Sequence, residues 1–132
     1  LKQMVDEYQL NDRIHFIGYL GGADKSNAYH AADLLVIPSR QEAMSIVALE
    51  AGISGTPVLL TDQCGFNVIE KIDGGKVVQA SVKGIELGLI EILRDKDRLN
   101  SMGSNLKQYT NENFTWDSII GKYLTLFGQI LM

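Results

Sequence analysis

The chain has 132 residues, of which 45% are hydrophobic and 21% charged, and its formal net charge is −4. This composition is typical of a globular protein, and the length predicts a single domain over residues 1–132. The negative charge and the lack of a basic cluster argue against nucleic acid as a partner, and no apolar run approaches the roughly 18 residues of a membrane span.

The N-terminal residues and the cysteine content indicate whether the chain is part of a longer protein and in which compartment it is found. The chain begins Leu1-Lys2-Gln3-Met4, without the charged-then-apolar pattern of a signal peptide, and its opening helix has no cap. We therefore expect a piece of a longer protein. A single cysteine, Cys64, excludes an internal disulfide and indicates a reducing, cytoplasmic compartment.

Short apolar runs alternate with helical patterns along the first 80 residues. A first helix ends near residues 11–12, and Asp24 is placed to cap a helix that runs to Ala32. A further helix is expected at about 45–54, and a helical turn at 67–71. The predicted strands are residues 14–17, 33–37, 57–61 and 76–79.

From Ser81 onward the pattern is purely helical. Thr115 is the expected cap of the final helix. The apolar stripe of that helix comprises Trp116, Ile119, Ile120, Tyr123, Leu124, Phe127, Ile130 and Leu131.

Helices that alternate with nearly continuous apolar strands predict an α/β fold, a Rossmann-like parallel sheet with flanking helices. Ligands of such sheets bind beyond the carboxyl ends of the strands. This rule brings residues 39–45, 61–67 and 18–22 to one rim.

Two carboxylates on this rim, Glu42 and Glu50, stand with seven residues between them. The helix that starts near Ser45 offers unpaired backbone N–H groups, which suit a phosphate. Glu50 lies about 7.5 Å further along the axis, where it could accept hydrogen bonds from a ribose diol. Glu42 could reach an attached sugar, and Arg40 and the Gly65 backbone could add donors.

The E-x7-E spacing resembles that of the family-4 glycosyltransferases, which have the GT-B fold. Neighbouring blocks agree in order and spacing across nearly the whole chain. These blocks are Arg13–Tyr19, Ala31–Asp33 with Pro38–Arg40, Glu50-Ala51 with Gly55–Val58, and Phe114–Trp116.

The resemblance implies the C-terminal, donor-binding half of a retaining glycosyltransferase whose donor is a nucleotide-diphosphate sugar. It implies that Glu50 holds the ribose and that Glu42 is the catalytic carboxylate at the donor sugar. The backbone N–H groups of Met44, Ser45, Ile46 and Val47 would meet the sugar and diphosphate, beside the loop that contains Gly65. It also implies that neither a metal nor another cofactor is needed.

Two departures from the family pattern stand out. Ala43-Met44-Ser45 replaces a glycine-containing segment, and the family's opening strands and acceptor domain have no counterpart here. We expect strand 14–17 to move in beside strand 33–37, with a right-handed crossover through helix 24–32. The alternative is that the open sheet edge pairs with a second copy. The resemblance further implies that part of the final apolar stripe lies exposed.

The resulting expectation is a fragment, inactive alone, of a cytoplasmic enzyme that could work at the inner membrane surface. Its parent would build a polysaccharide or glycolipid and would supply the missing N-terminal acceptor domain. Two alternatives stay open: a phosphorylase-like or epimerase-like member of the same fold, and a non-catalytic α/β interaction module.

Overall fold

A computed structural model describes residues 1–130 of the chain. Within this range the helices are α1 (Lys2–Glu7), α2 (Gly22–Ala31), α3 (Ile46–Ser54), α4 (Val68–Lys71), α5 (Val82–Ile92), α6 (Lys96–Asn113) and α7 (Trp116–Ile130). The strands are β1 (Leu35–Ile37), β2 (Val58–Thr61) and β3 (Gly75–Val78).

The strands form one parallel sheet in the order β1-β2-β3. Leu35 pairs with Val58, and Val58 pairs in turn with Gly75. All four residues of the central strand β2 are buried, because this strand has a neighbour on each edge and helices on both faces. The predicted parallel α/β fold is therefore confirmed, together with three of the four predicted strands.

Alternate residues of β2 enter two separate cores, as the period of a strand requires. Val58 and Leu60 pack with α3, α4 and α6 on one face. Leu59 packs with Val78, with Ile92 of α5 and with the first half of α6 on the other. Helix α3, whose start faces the predicted rim, is thus held against the first of these cores.

Helix α3 is fixed from two sides, by α2 and by α6. Its contact with α6 is close at Gly52, where an added Cβ would lie 2.6 Å from Thr110 Oγ1 and 2.9 Å from Leu106 Cγ. Only a residue without a side chain fits this crossing.

The expectation of a strand at residues 14–17 is wrong. The structure describes these residues fully, and they form no strand. Their side chains are exposed, with 50% of Phe16 and 67% of Ile17 accessible to solvent. The physical reason is that a strand needs a neighbour for its main-chain hydrogen bonds, and these residues pair with none of the strands in residues 1–130. The proposed placement of this segment beside β1 is therefore wrong as well.

Helix ends agree with the predictions in one case and differ in another. Thr115 Oγ1 accepts a hydrogen bond from the Ser118 N–H at 3.4 Å, which confirms Thr115 as the cap of α7. Helix α2 begins at Gly22 instead, so Asp24 lies in its first turn and is not the cap. The N-cap position is occupied by Gly21, whose backbone is extended with a φ of −135° and a ψ of 167°.

The apolar stripe of α7 is largely exposed in the structure, as expected. Trp116 is 79% and Leu124 67% accessible. Leu131, the last member of the predicted stripe, lies outside the described residues. None of the helices in the described part of the chain is both long and apolar enough to cross a membrane.

Candidate functional site

The loop between β1 and α3 lies against the loop that follows β2. The Glu42 N–H donates a hydrogen bond to the Gln63 carbonyl at 2.9 Å. The Thr61 hydroxyl, at the end of β2, donates to the Ser39 carbonyl. Both loops leave carboxyl ends of adjacent parallel strands, and the structure therefore brings this part of the predicted rim together.

Gly65 lies in close contact with the loop that carries Glu42. Its φ is +62°, and a Cβ added there would overlap the carbonyl oxygen of Ala43. A glycine is required here for two reasons, the left-handed backbone and the lack of space. Gly65 is thus a structural partner of the loop that carries Glu42.

The start of α3 faces this loop, and Ser45 occupies its N-cap position. Ser45 is fully buried, yet its hydroxyl has no hydrogen-bond partner anywhere in residues 1–130. Ser45 therefore does not cap the helix through its side chain. Burial keeps the hydroxyl away from water. Ser45 has the extended backbone of an N-cap residue, with a ψ of 98°, but its side chain makes no capping hydrogen bond.

The other predicted residues of the helix start are accessible. Ile46 is 67%, Val47 40% and Met44 37% exposed. The first N–H groups of a helix have no carbonyl partner inside it, and these exposed residues place the start of α3 at the protein surface. Arg40 is exposed and forms no ion pair with any described residue, and Glu42 is half-buried.

Glu50 lies one turn into α3, where α2 supplies both partners of its carboxylate. Lys25 Nζ lies 2.6 Å from Oε1, and the Tyr29 hydroxyl donates to Oε2 at 2.9 Å. Lys25 and Tyr29 stand four residues apart on α2, so they share the face that packs on α3. The side chain of Glu50 is 35% exposed.

These contacts keep the carboxylate ionised. The hydrogen bond from Lys25 is the main reason that the pKa of Glu50 is lowered, with the Tyr29 hydrogen bond acting in the same direction against partial burial. Burial, followed by the hydrogen bond to Glu50, raises the pKa of Tyr29 to about 12. Tyr29 therefore remains a neutral donor, and Glu50 remains an acceptor only, around neutral pH.

A cavity of about 180 Å³ opens between α2 and α3 beside Glu50. Its lining residues are Gly22, Lys25, Ser26, Tyr29, Ile53 and Ser54, together with Glu50. A group that donates hydrogen bonds could reach the carboxylate from this side.

The sequence reasoning missed Lys25 and Tyr29. Their spacing of four on a predicted helix was the available signal, but nothing local shows that this face meets Glu50. The partners of the Glu50 carboxylate come from α2 and not from the loop that carries Glu42. Glu50 of the predicted motif thus contacts helix α2, whereas Glu42 contacts the loop that follows β2 through its backbone.

Metal-binding side chains do not cluster at this site. No group of three or more His, Cys, Asp or Glu side chains with suitable geometry occurs in the part of the chain that the structure describes.

The fold and the site together define a class of protein: a parallel α/β domain that presents an open helix start and an ionised carboxylate at the carboxyl edge of its sheet. The chain belongs to the family of group 1 glycosyl transferases, whose family model matches residues 1–109.

Individual relatives agree with this assignment. An uncharacterized glycosyltransferase of Methanocaldococcus jannaschii is 32% identical over 124 residues, covering 91% of this chain and 32% of the relative. A D-inositol 3-phosphate glycosyltransferase of Gordonia bronchialis is 29% identical over 135 residues, covering 99% of this chain and 29% of the relative.

The solved structures include a similar fold in the sucrose-phosphate synthase of Thermosynechococcus elongatus. It superposes with a TM-score of 0.85 at 27% identity, over 98% of this chain and 33% of that one. The chain thus spans about a third of the length of these relatives.

Proposed function

We propose that this chain is the donor-binding part of a glycosyltransferase that uses a nucleotide-diphosphate sugar. The observation that carries the proposal is the Glu50 carboxylate, which is held ionised one turn into α3, downstream of the open N–H groups of the helix start. An acceptor-only group at this distance suits a ribose diol, and a helix start suits a diphosphate.

The remaining predicted residues have roles on the same ligand. Glu42 contacts the donor sugar and is the proposed catalytic carboxylate. The N–H groups of Met44, Ser45, Ile46 and Val47 receive the diphosphate and sugar. Arg40 is exposed beside them and adds positive charge, whereas Gly65 allows the two loops to approach each other closely.

The chemistry of the whole protein is proposed from family membership. It would transfer a sugar with retention of configuration, without a metal or other cofactor, to an acceptor in polysaccharide or glycolipid synthesis. The helix start and basic side chains would stabilise the leaving diphosphate. An acceptor domain outside this chain would complete the site, so that residues 1–132 are a partial domain that is inactive alone. A cytoplasmic location, or one at the inner membrane surface, belongs to the same proposal.

The proposal is tested by an NMR titration of this chain with UDP-, GDP- and ADP-sugars. One nucleotide should bind weakly, with a dissociation constant on the order of millimolar, because part of the site is outside the chain. Its shifts should cluster at residues 39–50 and 63–67, and Glu50→Gln should abolish them.

Glu91→Gln is the matched control, because Glu91 also pairs with a lysine, at 2.8 Å, but lies on α5 away from the rim. This variant should bind like the wild type. Equal loss of binding in both variants, or no shifts with any nucleotide sugar, would contradict the proposal. Binding of phosphate alone would favour the phosphorylase-like alternative.

A second candidate is a non-catalytic interaction module, and the position of β1 favours it. Within residues 1–130 this strand pairs with β2 on one edge and with nothing on the other. A free edge of this kind can pair with a second copy of the chain. Sedimentation velocity over a range of concentrations would detect such self-association, and a monomer at every concentration would contradict it.

A further inference from the structure

The two oxygens of the Glu50 carboxylate are held by donors of different kinds. Oε2 accepts from the neutral Tyr29 hydroxyl at 2.9 Å, and Oε1 faces the Lys25 ammonium at 2.6 Å. Both donors come from α2, but they differ in how firmly the fold holds them.

Tyr29 is held firmly. Its ring packs against the core formed around β2, α3 and α6. Its carbonyl accepts a hydrogen bond from the Thr56 hydroxyl at 2.6 Å and another from the Ala32 N–H at 3.1 Å. Backbone and ring are therefore both fixed, and the hydroxyl has a defined position relative to α3.

Lys25 is held at its ammonium group alone. Its side chain is 42% exposed, and Glu50 is the one described residue that bonds to Nζ. A lysine side chain has four rotatable bonds, and an ion pair that is only partly buried, as this one is, contributes little to stability. Lys25 can therefore leave Oε1 at little cost, whereas Tyr29 cannot easily leave Oε2.

We propose that Tyr29 is the positioning residue that aims the Glu50 carboxylate at the cavity, and that Lys25 is an internal competitor that any hydroxyl ligand of Glu50 must displace. This inference rests on the proposed function, since it assumes that Glu50 accepts hydrogen bonds from a ribose diol. Lys25 would limit the affinity for the nucleoside part of the donor, and Tyr29 would support it.

The two roles predict effects of opposite sign. The probe is the uncharged nucleoside (uridine, guanosine or adenosine) of the nucleotide that binds best, because a diphosphate would also respond to the charge of Lys25. Lys25→Met should tighten nucleoside binding by up to about fivefold, the range expected for removal of a weak, partly exposed ion pair. Tyr29→Phe should weaken it by about threefold to tenfold through loss of one hydrogen bond.

Two further measurements separate these roles from a general loss of structure. In the wild type, added salt should tighten nucleoside binding by screening the Lys25 competitor, and in Lys25→Met it should have little effect. The pKa of the Glu50 carboxyl, followed by its NMR chemical shift, should rise in both variants. Lys76→Met, which removes the ion pair with Glu91 instead, should change neither quantity.

The outcomes distinguish this inference from the proposed function. If Lys25→Met binds the nucleoside no tighter than the wild type, while Glu50→Gln no longer binds it, the competitor role is wrong and the donor site stands. If Tyr29→Phe binds as tightly as the wild type, the positioning role is wrong. If neither the wild type nor Lys25→Met binds any nucleoside or nucleotide sugar, both the inference and the proposed function are wrong.

Discussion

Replacing Gly65 with alanine should be one of the most damaging single changes near the site. The φ of +62° would force alanine into the left-handed region, at a cost of about 1–2 kcal/mol. The new Cβ would also overlap the Ala43 carbonyl, and because backbone atoms must then shift, the overlap adds about 1–3 kcal/mol. The free energy of unfolding should therefore fall by about 2–5 kcal/mol, summed from these two terms.

Gly18 provides a matched control for the two terms. Its φ is +72°, but a Cβ built there meets nothing within 4 Å. Gly18→Ala should cost no more than the conformational term of about 1–2 kcal/mol. Urea denaturation followed by circular dichroism gives both values. If Gly65→Ala were no more destabilising than Gly18→Ala, the close contact between the two loops would be refuted.

Other substitutions and a pH series test separate parts of the description. Ser45→Ala should leave the free energy of unfolding unchanged or raise it by up to about 1 kcal/mol, because it removes a buried hydroxyl without a partner in the described residues. Removal of a side chain that does cap a helix lowers the free energy of unfolding by about 0.5–2 kcal/mol, and a decrease of that size would contradict this prediction. Leu59→Ala should cost about 2–5 kcal/mol in urea denaturation, because Leu59 is fully buried, and a cost below about 1 kcal/mol would argue against the described core. The lowered pKa of Glu50 means that its pair with Lys25 stabilises the fold above the ordinary carboxyl pKa of 4.5 and loses this effect as the pH falls through the lower, folded value. Lys25→Met should thus lower stability by about 0.2–1 kcal/mol at pH 7 and not at all in strong acid, and a difference that persists there would contradict the ion pair.

Most of the fold could be predicted because its signals are local. The runs that became β1, β2 and β3 are apolar, short and bounded by turn residues, and the helices between them have periodic stripes. The segment at residues 14–17 carries the same apolar signal but forms no strand. Strand formation depends on a neighbouring strand, and this information is not contained in the segment itself.

The site was predictable to the extent that it follows from chain order. Because β1 and β2 are adjacent and parallel, the loops at their carboxyl ends lie side by side, and the Glu42 N–H donates a hydrogen bond to the Gln63 carbonyl. Contacts between helices could not be derived in this way. The hydrogen bond from Tyr29 to Glu50 depends on how α2 packs against α3. The Ser45 hydroxyl has no partner in the described residues because it is buried, and the preference of serine for N-cap positions does not predict that burial.

The tight crossing of α3 and α6 at Gly52 limits how this protein could adapt to a new ligand. Gly52 allows α3 to pack directly against Thr110 and Leu106 of α6, and this close packing holds Glu50, two residues earlier on α3, in place relative to the sheet. Variation in the ligand must then be accommodated by the loop before α3, where the side chains of Pro38, Arg40, Gln41, Ala43 and Met44 are exposed and can change without disturbing the helix pair. Directed evolution of this chain should therefore yield altered selectivity from that loop, and mostly unstable proteins from substitutions at Gly52.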